Sequence, residues 1–495
     1  MSFDLSNFTI AAPLLALAAG ALVVLLFDLL MPAKAAQAWW YIAGIASVGV
    51  AGYYLAPLLG TRSVGFDGAM VMDSLATVFA VVLLGTLALT MVIAFTRSEL
   101  DKSGYLALLL WAGMGMLMMV SAGNMMTIFL GLELLSLALY VAVAFDESRG
   151  CAREAALKYF VLGSVASAFL LFGFALIYGT VGSMDLAAIA KTAELSSPMY
   201  YKVGVALTLV GFGFKLALVP FHAWAPDVYQ GAPTATTAFM SVGTKGAAFA
   251  MIARFLITVI PAGHAAAYLL PLSVMAAASM LWGATVGMWQ NDLKRMMAYS
   301  GIAHAGYLIM AIPALQPDGL TAAAYYMAAY GFTAMGIFAI IALLESEGEE
   351  GANLHTFTSL YYRRPGLAVA LSLFMFALAG LPPTGGFVGK FLLAKAAVGA
   401  ASSLAVNSWI LLIGLIVSTG ISAYVYLRVI GTLFQKPAAE ASARKIMAGA
   451  EETGLALSPG TIRAGLWAVI VIALIGTLVL GILPGPALGL LKVAL

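Results

Sequence analysis

Five ionisable side chains of this sequence stand inside runs of apolar residues: Glu133 in MMTIFLGLELLSLALY, Lys158 in REAALKYF, Lys215 in GFGFKLALVP, Lys245 in TTAFMSVGTKGAAFAM and Lys390 in LPPTGGFVGKF. A charge held inside a bilayer costs several kcal/mol, so such a residue marks an ion path or proton relay and needs a partner. Glu133 lies eight residues past Met125, about 12 Å along a helix axis and close to the middle of a hydrocarbon core about 30 Å thick. Lys245 lies eleven residues past Thr234, about 16 Å in by the same rise. Gly243, Thr244 and Gly246 around it leave room for close helices or water. Lys158, four residues after Glu154, is nearer a helix end, where a snorkelling lysine paired with that glutamate accounts for it as well as a relay role does. A lysine away from water and within reach of a carboxylate whose charge changes can take up or release a proton, which is what a relay requires.

Two histidines could join such a path. His304, in AYSGIAHAGYL, is eight residues into a span, beside Ser300 and Tyr307. His222, in VPFHAW, is more simply a hydrogen-bonded structural residue. The four histidines lack HExxH or paired spacing and no GKS or GKT loop occurs, so neither a metal site nor nucleotide hydrolysis is expected. A single cysteine, Cys151, excludes a disulfide framework or a Cys-ligated iron–sulfur cluster in this chain.

The elements that hold these residues are membrane helices. Of the 495 residues 63% are hydrophobic and 9% charged, with a mean hydropathy of +1.02, far outside soluble domains. Apolar runs of about twenty residues give an all-α polytopic membrane protein of about 14 spans: 9–31, 39–59, 72–95, 105–120, 125–145, 155–180, 201–220, 234–260, 265–288, 296–313, 322–344, 367–393, 408–433 and 466–483. Short-period alternation is absent, which argues against a transmembrane barrel. The first span lacks a basic flank and is long for a signal peptide, so it is expected to be retained.

Two spans are interrupted. Pro220, Pro226 and Pro233 break the seventh beside Lys215; Pro382 and Pro383, with Gly385 and Gly386, break the twelfth beside Lys390. Five spans separate the breaks, and an odd offset reverses direction across the membrane. The expected fold is therefore two inverted five-helix repeats, spans 4–8 and 9–13, with an ion path near the midplane. Its divisions are three N-terminal helices over residues 1–103, the first repeat over 104–262, the second over 263–435, a loop over 436–463 and a last helix over 464–495 of one membrane domain. Lys34, Arg97, Lys102, Arg149, Arg153, Lys294, Arg295, Arg363, Arg364, Lys436, Arg444, Lys445 and Arg463 fall on one side; Arg62, Lys191, Lys202 and Lys492 fall on the other. That bias places the odd-numbered loops in the cytoplasm and both termini outside. The two longest linkers, 345–364 with its acidic run ESEGEE and 436–463, are expected to be solvated cytoplasmic loops.

PFHAWAPDVYQGAPT, NDLKRMMAYSGIAHAGY and LPPTGGFVGKF, taken with mid-membrane Glu133, Lys215 and Lys245, resemble the antiporter-like membrane subunits of respiratory complex I over nearly the whole chain. Three branches of that family differ in detail. One carries a long C-terminal extension, whereas this chain stops shortly after its fourteenth span. Another has a glutamate on the broken twelfth helix where Lys390 stands. PDVYQGAP is typical of the third. The resemblance implies an inner-membrane subunit of a bacterial proton-translocating NADH:quinone oxidoreductase, with NADH, FMN, iron–sulfur clusters and quinone held by partner subunits and no cofactor in this chain. It implies neighbours among the other membrane subunits, a second antiporter-like subunit and small hydrophobic ones, and surrounding lipid. By the same resemblance Glu133 modulates Lys215, Lys245 is the central relay lysine, Lys390 passes protons toward the outer face, and His304 lies between Lys245 and Lys390. Gly301 departs from the family, which often has a second serine after AYS. A subunit of a multi-subunit sodium/proton antiporter shares many of these motifs and is the alternative; a membrane scaffold conducting no ion would leave four deep charges and two broken helices without a purpose.

Overall fold

A computed structural model describes residues 5–31, 33–95, 103–146, 149–193, 199–260, 265–313, 317–346, 352–399, 404–437 and 459–494. Eleven helices among them are long and apolar enough to cross a bilayer. The three other expected spans are the ones carrying a break or polar groups: the seventh, as Met199–Leu216 and Trp224–Gly231; the tenth, Leu293–Ile309; and the twelfth, as Pro365–Ala379 and Gly385–Val398. Each hydrophobic run is helical, the seventh and twelfth as two half-helices apiece, because in a bilayer a helix satisfies its own backbone.

The chain also contains a feature its hydrophobic pattern hides. Ser63–Gly65 and Met70–Met72 pair antiparallel in a small hairpin between the second and third spans, too short for alternation to register. It is tied to the bundle where Met70 bridges Ala122.

Two halves of opposite orientation are visible in their caps. Asn124 caps the fifth span by accepting from the Thr127 N–H at 2.7 Å, and Asp292 caps the tenth by accepting from the Arg295 N–H at 2.8 Å. Each capping residue forms an isolated β-bridge with the segment after the next span: Asn124 with Asp185, Asp292 with Asn353. The two devices match in sequence order, yet five spans apart they stand at opposite ends of the bundle. The breaks correspond as well. In the seventh span the carbonyl of Phe214 accepts from the Trp224 indole at 3.0 Å; in the twelfth the carbonyls of Leu378 and Ala379 accept from Lys390 Nζ at 2.9 and 3.2 Å. In both, a side chain of the second half-helix satisfies acceptors freed at the end of the first. Pro226 does not itself break the chain; it sits in the first turn of Trp224–Gly231, where its missing N–H is harmless.

The eighth and eleventh spans, Thr234–Val259 and Asp318–Ser346, are the most enclosed of the eleven, with 89% of the residues in an apolar stretch of each buried, against 33% in the sixth. The linker expected to be solvated over 345–364 is partly packed instead. Leu354–Phe357 and Leu360–Arg363 are short helical turns whose Phe357 and Leu360 are fully buried, the apolar residues overriding the acidic run before them. Residues 347–350 of that acidic run with Gly351 after it, and loop residues 438–458, with Arg444 and Lys445, lie outside the described residues, as do Arg97 and Lys102. Lys294, grouped by sequence with the loop cations, is 2% exposed. It lies in the first turn of the tenth span, where Nζ donates to the Ala232 carbonyl at 2.6 Å.

Candidate functional site

Lys215 closes the last turn before the first break and is 3% exposed. Its Nζ donates to Ser136 Oγ at 2.9 Å and to the Tyr159 hydroxyl at 3.3 Å. Glu133 stands three residues before Ser136 on the same helix, half-buried, and accepts a hydrogen bond from Ser167 of the sixth span. The expected Glu133–Lys215 pair is thus a neighbourhood rather than a salt bridge, with Ser136 holding the ammonium one helical turn from the carboxylate.

Lys158 does pair with Glu154, at 2.8 Å, and also with Asp227 at 2.9 Å. Asp227 takes Arg295 of the tenth span on its other oxygen at 2.5 Å. Lys158 therefore belongs to a wetted ion network at one end of the bundle. The network borders a cavity of about 350 Å³ that Arg149, Cys151, Glu154, Asp227 and Glu345 also line. His222 lies in the first break, half-buried, its ring 5.8 Å from that of Trp282, and the described contacts do not connect it to the buried lysines.

Lys245 is 3% exposed and follows directly on a π-helical segment, Met240–Thr244, a local widening that often accompanies function. Its Nζ donates to the Gly301 carbonyl of the tenth span at 2.8 Å. A Cβ on residue 301 would stand 3.1 Å from Lys245 Cε and 3.2 Å from Nζ. Glycine there lets the ammonium lie flat against the backbone it bonds.

His304, 4% exposed, meets the Tyr326 hydroxyl at Nδ1 (2.6 Å) and the Tyr426 hydroxyl at Nε2 (3.5 Å). Tyr426 is in turn 2.7 Å from Ser300 Oγ. The Tyr307 ring lies 5.3 Å from the imidazole, and Lys390 Nζ stands 5.0 Å from the centre of that same ring. From Lys245 the contacts run through Gly301 and Ser300, adjacent on one helix, to Tyr426, His304, Tyr307 and Lys390. Lys215 with Glu133 forms a second group, which the described contacts do not join to Lys245. The structure thus joins His304 to Lys245 of the first half and Lys390 of the second, and leaves Lys158 and His222 outside the buried line.

What sequence reasoning missed is the hydroxyl lining: Ser136, Tyr159, Ser167, Tyr326, Tyr330 and Tyr426. A signal existed in Tyr326 and Tyr330, four apart on one face of an otherwise apolar helix. A second omission is Arg254, which reaches Asp73 with both terminal nitrogens at 2.8 and 2.6 Å.

A membrane bundle with a broken helix in each half, and buried lysines held at or beside the breaks, has the build of an ion-translocating membrane subunit. The family described as NADH:quinone oxidoreductase/Mrp antiporter, transmembrane, matches residues 122–422. The chain is 57% identical over its full length, and 99% of the relative's, to NADH-quinone oxidoreductase subunit N 1 of Symbiobacterium thermophilum. It is 37% identical to subunit N 2 of Roseiflexus castenholzii over 95% of this chain and 93% of that protein. Among solved structures a chain of respiratory complex I from Thermus thermophilus with bound aureothin matches with a TM-score of 0.76 and 31% identity, over 96% of this chain and 98% of that one. The chain belongs to the antiporter-like membrane subunits of NADH-quinone oxidoreductase, in the subunit N branch that its twelfth-helix lysine and PDVYQGAP motif anticipated.

Proposed function

We propose that this chain conducts protons across a bacterial inner membrane as part of an assembled NADH:quinone oxidoreductase, through Glu133, Lys215, Lys245, His304 and Lys390 in that order. The observation that carries the reading is the company the lysines keep. Lys215, Lys245 and Lys390 are each at most 6% exposed, and among the described residues each is held only by hydroxyls or carbonyls. Neutral oxygens accept from a lysine whether it is charged or not, so the proton can leave without the bond being abandoned. A fixed salt bridge would trap it.

Redox events in partner subunits, which hold the flavin, iron–sulfur clusters and quinone, alter charge at the boundary with this chain, and the half-buried Glu133 receives that change. The change passes to Lys215 and on to Lys245 and Lys390. Moving a proton against 100 mV costs about 2.3 kcal/mol, and a swing of about two pKa units, ~2.7 kcal/mol, supplies it. Both termini face the outside, and the cavity beside Asp227 opens to the cytoplasm. The neighbours are other membrane subunits of the complex, with lipid between them.

The test is Lys245→Ala in membranes where native gels show the complex assembled, with NADH-driven quinone reduction and proton pumping followed in the same vesicles. Both fall together, by about tenfold or more. Wild-type rates in a fully assembled complex would show the buried lysines to be structural, and a chain never found in an NADH-oxidising complex would favour the sodium/proton antiporter reading that the family's description also allows.

A further inference from the structure

Tyr330 is buried, 4% exposed, and its hydroxyl finds no hydrogen-bond partner among the described residues. An orphaned hydroxyl in a closed interior costs about 1–3 kcal/mol, so its place calls for an explanation. The ring is fixed against His304 with centroids 4.8 Å apart. The hydroxyl points at the bare face of Gly301: a point over that Cα, where a Cβ would be, lies 3.4 Å from Tyr330 Oη and 3.2 Å from Lys245 Nζ. Oη and Nζ are thus at most about 6.6 Å apart, close to the ~6 Å that one bridging water spans. The lysine has donors to spare, since an ammonium carries three and one goes to the Gly301 carbonyl.

We propose that Tyr330 is a relay hydroxyl: with a water held over Gly301 it forms the link by which a proton leaves Lys245 for the Ser300, Tyr426 and His304 chain. This rests on the relay reading above and extends it to a residue that reading does not use. In the step an N–H bond of the Lys245 ammonium breaks and an O–H bond forms on the water. The water gives a different hydrogen to Tyr330 Oη as the tyrosine releases its own to a second water, since no described side chain lies within hydrogen-bond reach of that hydroxyl, and that water passes one of its hydrogens to the Ser300–Tyr426 pair. Tyr426 stands 3.5 Å from His304 Nε2, where the proton comes to rest. Lysine ends as the amine and histidine as the imidazolium; water and tyrosines are neutral before and after. Gly301 then has two roles, admitting the lysine and leaving space for the bridge.

The experiment compares Tyr330→Phe, Lys245→Ala and the Tyr330→Phe/Gly301→Ser double variant in assembled complex, measuring NADH-driven quinone reduction, proton pumping and the solvent deuterium isotope effect on turnover. Tyr330→Phe keeps the ring against His304 and removes only the oxygen. The expected result is turnover and pumping lowered together by about tenfold, a larger isotope effect than wild type, and recovery when Gly301→Ser returns a hydroxyl to the same spot. Wild-type turnover in Tyr330→Phe while Lys245→Ala is slow overturns the proposal and leaves the relay standing; wild-type turnover in both overturns the relay as well. A slow Tyr330→Phe with an unchanged isotope effect and no recovery assigns Tyr330 to packing and also overturns it. Should Tyr330→Phe fail to assemble, Gly301→Ser against Gly301→Ala decides: an active serine variant beside a slow alanine variant supports the bridge, and equal rates refute it.

Discussion

Four buried cations of this chain illustrate two different uses of charge. Arg254 is 8% exposed and answered by a carboxylate, its guanidinium gripping both oxygens of Asp73 as planar forks do. Lys215, Lys245 and Lys390 have no such partner among the described residues and lean on hydroxyls and carbonyls. The first arrangement fixes a charge; the second, on the proposed reading, lets it come and go. Asp73, just outside the third span, shows the fixing directly. Burial pushes its carboxyl up, but the hydrogen bonds and charge of Arg254 outweigh burial and hold it below its ordinary value of 3.8. A carboxyl whose folded value is depressed stabilises the fold fully above its unfolded value, and that stabilisation is lost as the pH drops from about 3.8 through the lower folded value. Asp73→Asn is therefore expected to melt at a lower temperature than wild type near neutrality, by an amount equivalent to about 2 kcal/mol for a partly wetted pair, with the difference closing below pH 3.8. Thermal unfolding of the purified complex across pH checks this, and a gap that persists unchanged into acid would refute the pairing. Glu133, Lys215, Lys245 and Lys390 were legible in the sequence because charge is rare in an apolar run. Arg254 went unread because it lies near a helix end, and the tyrosines because an aromatic residue in a membrane span attracts no notice until its hydroxyl is seen to have a partner or to lack one.

At the scale of elements, the two broken helices determine where Lys215 and Lys390 are held. A half-helix ends with unsatisfied carbonyls; in the twelfth span those of Leu378 and Ala379 become the cradle of Lys390. The cradle requires the second half-helix to approach closely, and Gly386 permits it: a Cβ there would come within 1.9 Å of the Ala377 carbonyl oxygen. Gly386→Ala is expected to force the halves apart at a cost of about 3 kcal/mol or more, so that little assembled complex forms on a native gel. Gly420→Ala, where nothing lies within 4 Å, is the matched control, expected to assemble like wild type or slightly better through helix propensity worth about 1 kcal/mol. Equal assembly of both variants would mean the half-helices do not pack as described. Prolines and glycines inside apolar runs made both breaks readable from the sequence. The capping bridges of Asn124 with Asp185 and Asp292 with Asn353 were not readable, because each joins residues some sixty apart whose types alone carry no sign of pairing.

For the molecule as a whole, direction across the membrane decides which end of the relay takes up protons, and the chain carries its own probe. Cys151 is the single cysteine of the sequence. It is exposed and lines the cavity shared with Glu154, Lys158 and Asp227, a polar setting in which a thiol meets water. In the proposed orientation, which rests on the excess of Lys and Arg on the odd-numbered loops, that cavity faces the cytoplasm and receives protons bound for the lysines. A membrane-impermeant maleimide is accordingly expected to label Cys151 in inside-out vesicles and to spare it in right-side-out ones. A cysteine introduced at Arg62, exposed on the loop after the second span, should show the reverse in a Cys151→Ser background. Labelling of Cys151 only from the outer side, with Arg62→Cys reached only from within, would invert the topology and with it the direction in which Glu133 and Lys215 receive charge and Lys390 releases protons. The identity of the relay residues would survive that outcome, because their contacts lie within the bundle; the assignment of uptake and release would not.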